Sequence, residues 1–238
     1  MRFPLNAIHW YLALPFLIFI AWRSFSARNS GQNKLNTYFG LSAVTFIFSM
    51  LCYGLPPLVA SETSMWLTYG TIAGDIFQFI ALFWIWLAVA RIYFPRSSLA
   101  LPIIAALDAV VVLIGAYYSI TENLASPVTM TFVDGAWQVN FAFSQGYQVV
   151  TAIQFLSLLF IAARFGMQAW TATDVLKKIR LFSLALVFFV VGGLYVLRPI
   201  LNFDATAYTT SYAMAGVFTL VVVFLLAGVF LARRGDRG

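Results

Sequence analysis

The chain has 238 residues, of which 62% are hydrophobic and only 9% charged, against about 25% charged residues in an ordinary soluble domain. Such a chain cannot cover a water-facing surface with polar groups. Its net charge of +6 sits in short connectors between apolar runs rather than on one exposed basic face, which argues against a nucleic-acid binder, and its lone cysteine, Cys52, rules out an intrachain disulfide.

From the N-terminus, Met1-Arg2-Phe3-Pro4-Leu5-Asn6 leads into the first apolar stretch without a small-residue cleavage site, so no cleaved signal peptide is expected. Apolar runs of about 20 residues then recur, each long enough to cross a hydrocarbon core of roughly 30 Å at 1.5 Å per residue. Seven spans are predicted, at 8–22, 38–55, 66–90, 99–118, 147–165, 179–197 and 208–232. Together they form one all-α, seven-transmembrane-helix domain over residues 1–238. Trp and Tyr cluster at many of the span ends, where a headgroup layer would hold them. Pro15 predicts a kink in the first span, Pro56-Pro57 the end of the second and Arg198-Pro199 the end of the sixth. Gly192-Gly193 predicts a close helix approach or a bend in the sixth.

Orientation follows from the basic residues. Arg23, Arg28, Lys34, Arg91, Arg96, Arg164, Lys177, Lys178, Arg180, Arg233, Arg234 and Arg237 fall in the odd-numbered connectors and the C-terminal tail, which is 12 of the 14 in the chain. Arg2 and Arg198 stand on the other side. The positive-inside rule therefore puts the N-terminus outside and the C-terminus in the cytoplasm of a multi-pass protein of the plasma or inner membrane.

Residues 119–146 form the one long connector, on the outer side. Within it Val128, Met130 and Phe132 alternate with Thr129 and Thr131, Asp134-Gly135 supplies turn chemistry, and Trp137, Val139 and Phe141 alternate with Gln138 and Asn140. This period of two around a D-G pair predicts a β-hairpin. A lone hairpin is marginal in water, so it should rest on the mouth of the bundle or on the membrane surface.

Two carboxylates interrupt apolar spans. Asp75 lies in the third and Asp108 in the fourth. A charge at mid-bilayer costs about 2.5 to 3.5 kcal/mol on insertion scales, so each should face the bundle and find a partner or a proton. Thr71, Asp75 and Gln78 fall at i, i+4 and i+7 and share one helical face. Gln148, Thr151, Gln154 and Ser157 recur every three residues on the fifth span. Ser42, Thr45, Ser49 and Cys52-Tyr53 repeat at similar spacing on the second, and Tyr208 and Tyr212 open the seventh. Arg198 and His9 stand at the outer ends of the sixth and first. Most of these positions fall in the outer half of the membrane and predict a cavity open to the outside. Each aspartate also lies about nine residues, roughly 13 Å, from its outer or inner entry point, which predicts a similar depth for the two.

Several chemistries lack their residues. Lys34, Lys177 and Lys178 all lie in connectors, so no lysine can carry a retinal Schiff base in the last helix. One histidine cannot supply paired haem ligands or a histidine-rich metal site, and no cofactor or metal is expected. Gly74-Asp75 matches only part of the G-x-G-D element of intramembrane aspartyl proteases, because Ile72 stands at the first glycine.

The leading expectation is a binding or sensory protein rather than an enzyme, with a small ligand reaching an outward cavity at Asp75, Gln78, Thr71, Gln154, Arg198, Tyr208, Tyr212 and His9. Output would need a partner protein at the basic cytoplasmic loops, and membrane lipids surround the rest. The alternatives are a small transporter or proton-coupled carrier relaying protons through Asp75 and Asp108, an intramembrane hydrolase using the same pair, and a structural subunit of a membrane assembly.

Overall fold

A computed structural model describes residues 8–26, 33–133, 136–141 and 143–201. Within them the order is α1 (Ile8–Ser26), α2 (Asn33–Val59), α3 (Met65–Tyr93), α4 (Ala100–Ala125), β1 (Thr129–Val133), β2 (Ala136–Asn140), α5 (Gln145–Thr171) and α6 (Val175–Leu201). The predicted seventh span at 208–232 lies outside the described residues. Five helices, α2 to α6, are long and apolar enough to cross a membrane, and α1 carries a shorter apolar segment.

Helix α3 is central, packing against α2, α4 and α5, while α1 joins the bundle through α2 and α6 through α5. The placement of α4 shows what kind of solvent the fold requires. Its buried residues are Asp108, Gly115, Ser119 and Asn123, whereas Leu107, Val110, Leu113, Tyr117 and Leu124 are exposed. A soluble helix does the reverse. An apolar exterior around a stripe of polar and small residues is the arrangement that lipid favours. Exposed tryptophans mark both ends of the bundle, Trp66 at the end that carries the hairpin and Trp22 and Trp170 at the opposite end, as interfacial belts do.

Two helices run past prolines that were expected to end them. Helix α2 continues through Pro56-Pro57 to Val59, and α6 continues through Pro199 to Leu201. Proline removes the N–H that would bond the carbonyl four residues earlier, at Cys52 and Tyr53 in α2, but a helix can continue where its neighbours pack against the break. Gly70 of α3 does so: a Cβ there would stand 2.7 Å from Cys52 O and 2.5 Å from Pro56 Cγ. In α6 the glycine pair divides. Gly192 lies against Leu158 and Leu159 of α5, while Gly193 has nothing within 4 Å.

Helix α4 also extends seven residues beyond its predicted end and takes Ser119, Glu122 and Asn123 out of the expected connector. Glu122 then reaches the start of α5. It accepts from Ser144 N at 3.0 Å and from the Ser144 hydroxyl, while Ser144 Oγ accepts from Tyr147 N at 3.1 Å as the N-cap. This carboxylate at a helix N-terminus ties α4 to α5.

The hairpin forms in the expected register, antiparallel with Met130 opposite Val139 and Val133 opposite Ala136. Asp134 and Gly135 between them lie outside the described residues. The strands rest on the bundle: Val128, Met130 and Val139 are buried in one cluster with Trp10, Tyr53 and Leu67. Val128 N donates to Thr68 Oγ1 at 3.0 Å and Met130 N to Glu62 O at 2.8 Å, which engages part of the free edge of β1.

Candidate functional site

Asp75 is 1% exposed and its carboxyl joins three helices. Tyr53 of α2 donates its hydroxyl to Oδ1, and Ser119 of α4 donates to Oδ2 at 2.6 Å. Tyr147 of α5 is buried and faces the same carboxyl. On either side of these, Ser49 Oγ donates to Gly74 O at 2.8 Å, and Asn123 Nδ2 donates to Ser119 O at 2.8 Å.

The local sequence explains how Tyr53 reaches Asp75. A Cβ on Gly74 would stand 2.8 Å from the Tyr53 ring, so glycine is what admits the phenol beside the next residue's carboxyl. The Gly74-Asp75 pair is thereby accounted for by packing. On the other side Gly115 admits the Phe79 ring, 2.6 Å from where its Cβ would be. That close approach of α3 and α4 carries Ser119, one turn further along, to Asp75.

Asp108 has different company. Gln154 of α5 donates Nε2 to Asp108 Oδ1 at 2.7 Å, while Asp108 Oδ2 and Gln154 Oε1 have no hydrogen-bond partner among the described residues. The similar depth expected for the two aspartates is not observed. Tyr147 faces Asp75 and Gln154 bonds Asp108, and these residues are seven apart on α5, or about 10 Å in height. The reason is the true length of α4: its hairpin end lies at Ala125 rather than Tyr118, which sets Asp108 deeper. The two carboxyls take separate partners and do not share a proton.

Thr71, Asp75 and Gln78 are all buried on α3, and Thr151, Gln154 and Ser157 on α5, so the polar faces read from spacing do turn into the bundle. Asp75 meets neither Gln154 nor Asp108. Tyr208 and Tyr212, and the side chains of His9 and Arg198, lie outside the described residues. Sequence reasoning did not single out Ser119 and Tyr147, and left Tyr53 as one of several polar positions. The available signal was the spacing of Gly115, Ser119 and Asn123 at i, i+4 and i+8, a small and polar stripe that continues helical periodicity past the expected end of the span.

Among the described residues no group of three or more His, Cys, Asp or Glu side chains is placed to hold a metal ion. Comparison with protein families, with characterised proteins and with solved structures gives no match for the chain.

Proposed function

We propose that the chain is a seven-helix membrane sensor, with its N-terminus outside and its C-terminus inside, whose outward hairpin controls the polar centre at Asp75. The observation that carries this reading is the double role of Tyr53. Its ring belongs to the cluster that seats Val128, Met130 and Val139 and stacks on Trp10 with centroids 5.1 Å apart. Its hydroxyl donates to Asp75, which in turn holds Ser119 of α4. A small ligand or a protein that shifts the hairpin would move Tyr53 and thereby alter how α2, α3 and α4 are joined. Output passes to a partner at the basic cytoplasmic connectors.

A thermodynamic cycle tests the link without knowledge of the stimulus. Met130→Ala in the hairpin and Ser119→Ala in α4 share no direct contact, so independent sites should add to within about 0.5 kcal/mol. Transmission through Tyr53 and Asp75 predicts a coupling of about 1 kcal/mol or more in unfolding free energy. Additive losses would remove the support for the reading.

The topology has its own test. In a Cys52→Ser background, cysteines placed at Asn29 and Thr173 should be shielded from a membrane-impermeant thiol reagent in intact cells, and one at Asp134 should be labelled. Labelling of all three in sealed cells would overturn the orientation.

A proton-coupled carrier is the second reading. It draws support from α5, where Tyr147 faces Asp75, Thr151 faces Tyr147 and Gln154 bonds Asp108, so one helix face runs from one carboxyl to the other.

A further inference from the structure

Asp108 of α4 is 5% exposed and Gln154 of α5 0%, and one bond joins them, from Gln154 Nε2 to Asp108 Oδ1 at 2.7 Å. Each of the two side chains keeps a second, buried oxygen with no partner among the described residues, Asp108 Oδ2 and Gln154 Oε1. While the carboxylate is ionised both oxygens are acceptors, and neither can satisfy the other. We propose that Asp108 is an occluded proton-binding site, held as the neutral acid with the proton on Oδ2 and offered to Gln154 Oε1. Amide and acid then meet through two bonds, N–H to Oδ1 and O–H to Oε1.

Among the described residues nothing else supplies Oδ2 with a donor. One turn to either side on α4 stand Ile104, Ala105, Val111 and Val112, all apolar. The hydroxyls flanking Gln154 on α5 are committed elsewhere: Thr151 shares a side-chain hydrogen bond with Tyr147, and Ser157 donates to Gln154 O at 2.8 Å.

Nothing described supplies a counter-charge either. The helices packed against α4 are α3 and α5, and their ionisable groups are Tyr69, Asp75, Arg91 and Tyr93 on α3 with Tyr147 and Arg164 on α5. Asp75 and Tyr147 meet at the other polar centre, about 10 Å outward, and Tyr69 lies further out still. Tyr93 donates to Phe160 O at 2.8 Å. Arg164 is ten residues inward of Gln154, or about 15 Å. Arg91 lies about 24 Å inward of Asp75 along α3 and Asp108 about 16 Å inward of Ser119 along α4, so roughly 8 Å of depth separates them; Arg91 makes no ion pair with Asp108.

An ionised Asp108 would thus be a lone charge inside a membrane bundle, the state that buried carboxyls avoid. A water bridging the two open oxygens would satisfy them but leave that charge in place. A proton removes the charge and supplies the missing donor in one step. The site uses neither Tyr53 nor Asp75 and does not rest on the sensor reading. The carrier reading requires it, but it does not require the carrier reading.

The test is infrared spectroscopy on the full chain in detergent at pH 7, read in the carbonyl-stretch region of protonated carboxylic acids. Wild type is expected to show an acid band that moves down in D2O and is lost in Asp108→Asn, whereas Asp75→Asn should keep it. Gln154→Met retains Asp108 but removes both bonds, so the band should persist and shift to higher frequency; this variant serves even where Asp108→Asn does not fold. The site is overturned by wild-type and Asp108→Asn spectra that agree in this region, or by an acid band that Gln154→Met leaves unmoved. An Asp108 band in a chain that moves no protons across vesicle membranes would end the carrier reading and leave the site standing.

Discussion

Replacement of Asp75 by leucine is expected to destabilise the folded chain by about 2 to 3 kcal/mol, as measured by reversible unfolding in mixed micelles. Two effects compete. Leucine removes a buried carboxyl, which by itself is often neutral or favourable when the replacement packs well. It also leaves the hydroxyl of the buried Tyr53 without its acceptor, and an orphaned buried donor costs about 1 to 3 kcal/mol. Ser119 loses its acceptor as well, but a helical serine can turn to its own preceding carbonyls, so its share is small. The tyrosine decides the sign.

Asp75→Asn keeps Oδ1 for Tyr53 and offers Ser119 an N–H in place of an acceptor, so a loss of about 1 kcal/mol is expected. The diagnostic result is a rescue. Adding Tyr53→Phe to Asp75→Leu should recover about 1 kcal/mol, because the orphaned donor goes with its hydroxyl. An Asp75→Leu chain as stable as wild type would show that the carboxyl is not the acceptor that holds Tyr53.

Gly70→Ala should be destabilising by about 1 to 3 kcal/mol, the range for overpacking a tight contact. Its new methyl would meet Cys52 O at 2.7 Å and the Pro56 ring at 2.5 Å. Neither can swing aside. The carbonyl is backbone, and the ring is locked into α2 at the point where Pro56 has removed the carbonyl's helical donor. Gly166→Ala is the matched control, since nothing lies within 4 Å of a Cβ there. It should gain up to about 1 kcal/mol from helix propensity alone. Opposite signs for the same chemical change would locate the α2–α3 contact at Gly70, and equal signs would place it elsewhere.

Much of this molecule was legible before any folding was considered. Hydrophobic run length identified helices able to cross a membrane, because hydrocarbon leaves the backbone no other way to pair its polar groups. Alternation around Asp134-Gly135 identified both strands and their pairing, since a two-residue connection sets the register. The spacing of Thr71, Asp75 and Gln78 put all three on the buried face of α3, because 3.6 residues per turn is a local property.

Partners were not legible in the same way. The sequence placed Asp75 in a polar face but offered Gln154 and Asp108 among its contacts, and the fold chose Tyr53, Ser119 and Tyr147 instead. That choice depends on where helices end and how closely they approach. Ser119 reaches Asp75 because α4 runs on to Ala125 and because Gly115 admits Phe79; Tyr53 reaches it because Gly74 leaves room for the ring. Hydropathy cannot mark such ends, since a helix that leaves the hydrocarbon keeps its hydrogen bonds while its side chains turn polar. Proline cannot mark them either where a neighbouring helix packs against the break, as Gly70 does at Pro56. Periodicity fixed which face of each helix turns inward, whereas helix length and interhelical distance, both properties of packing, decided which polar groups meet.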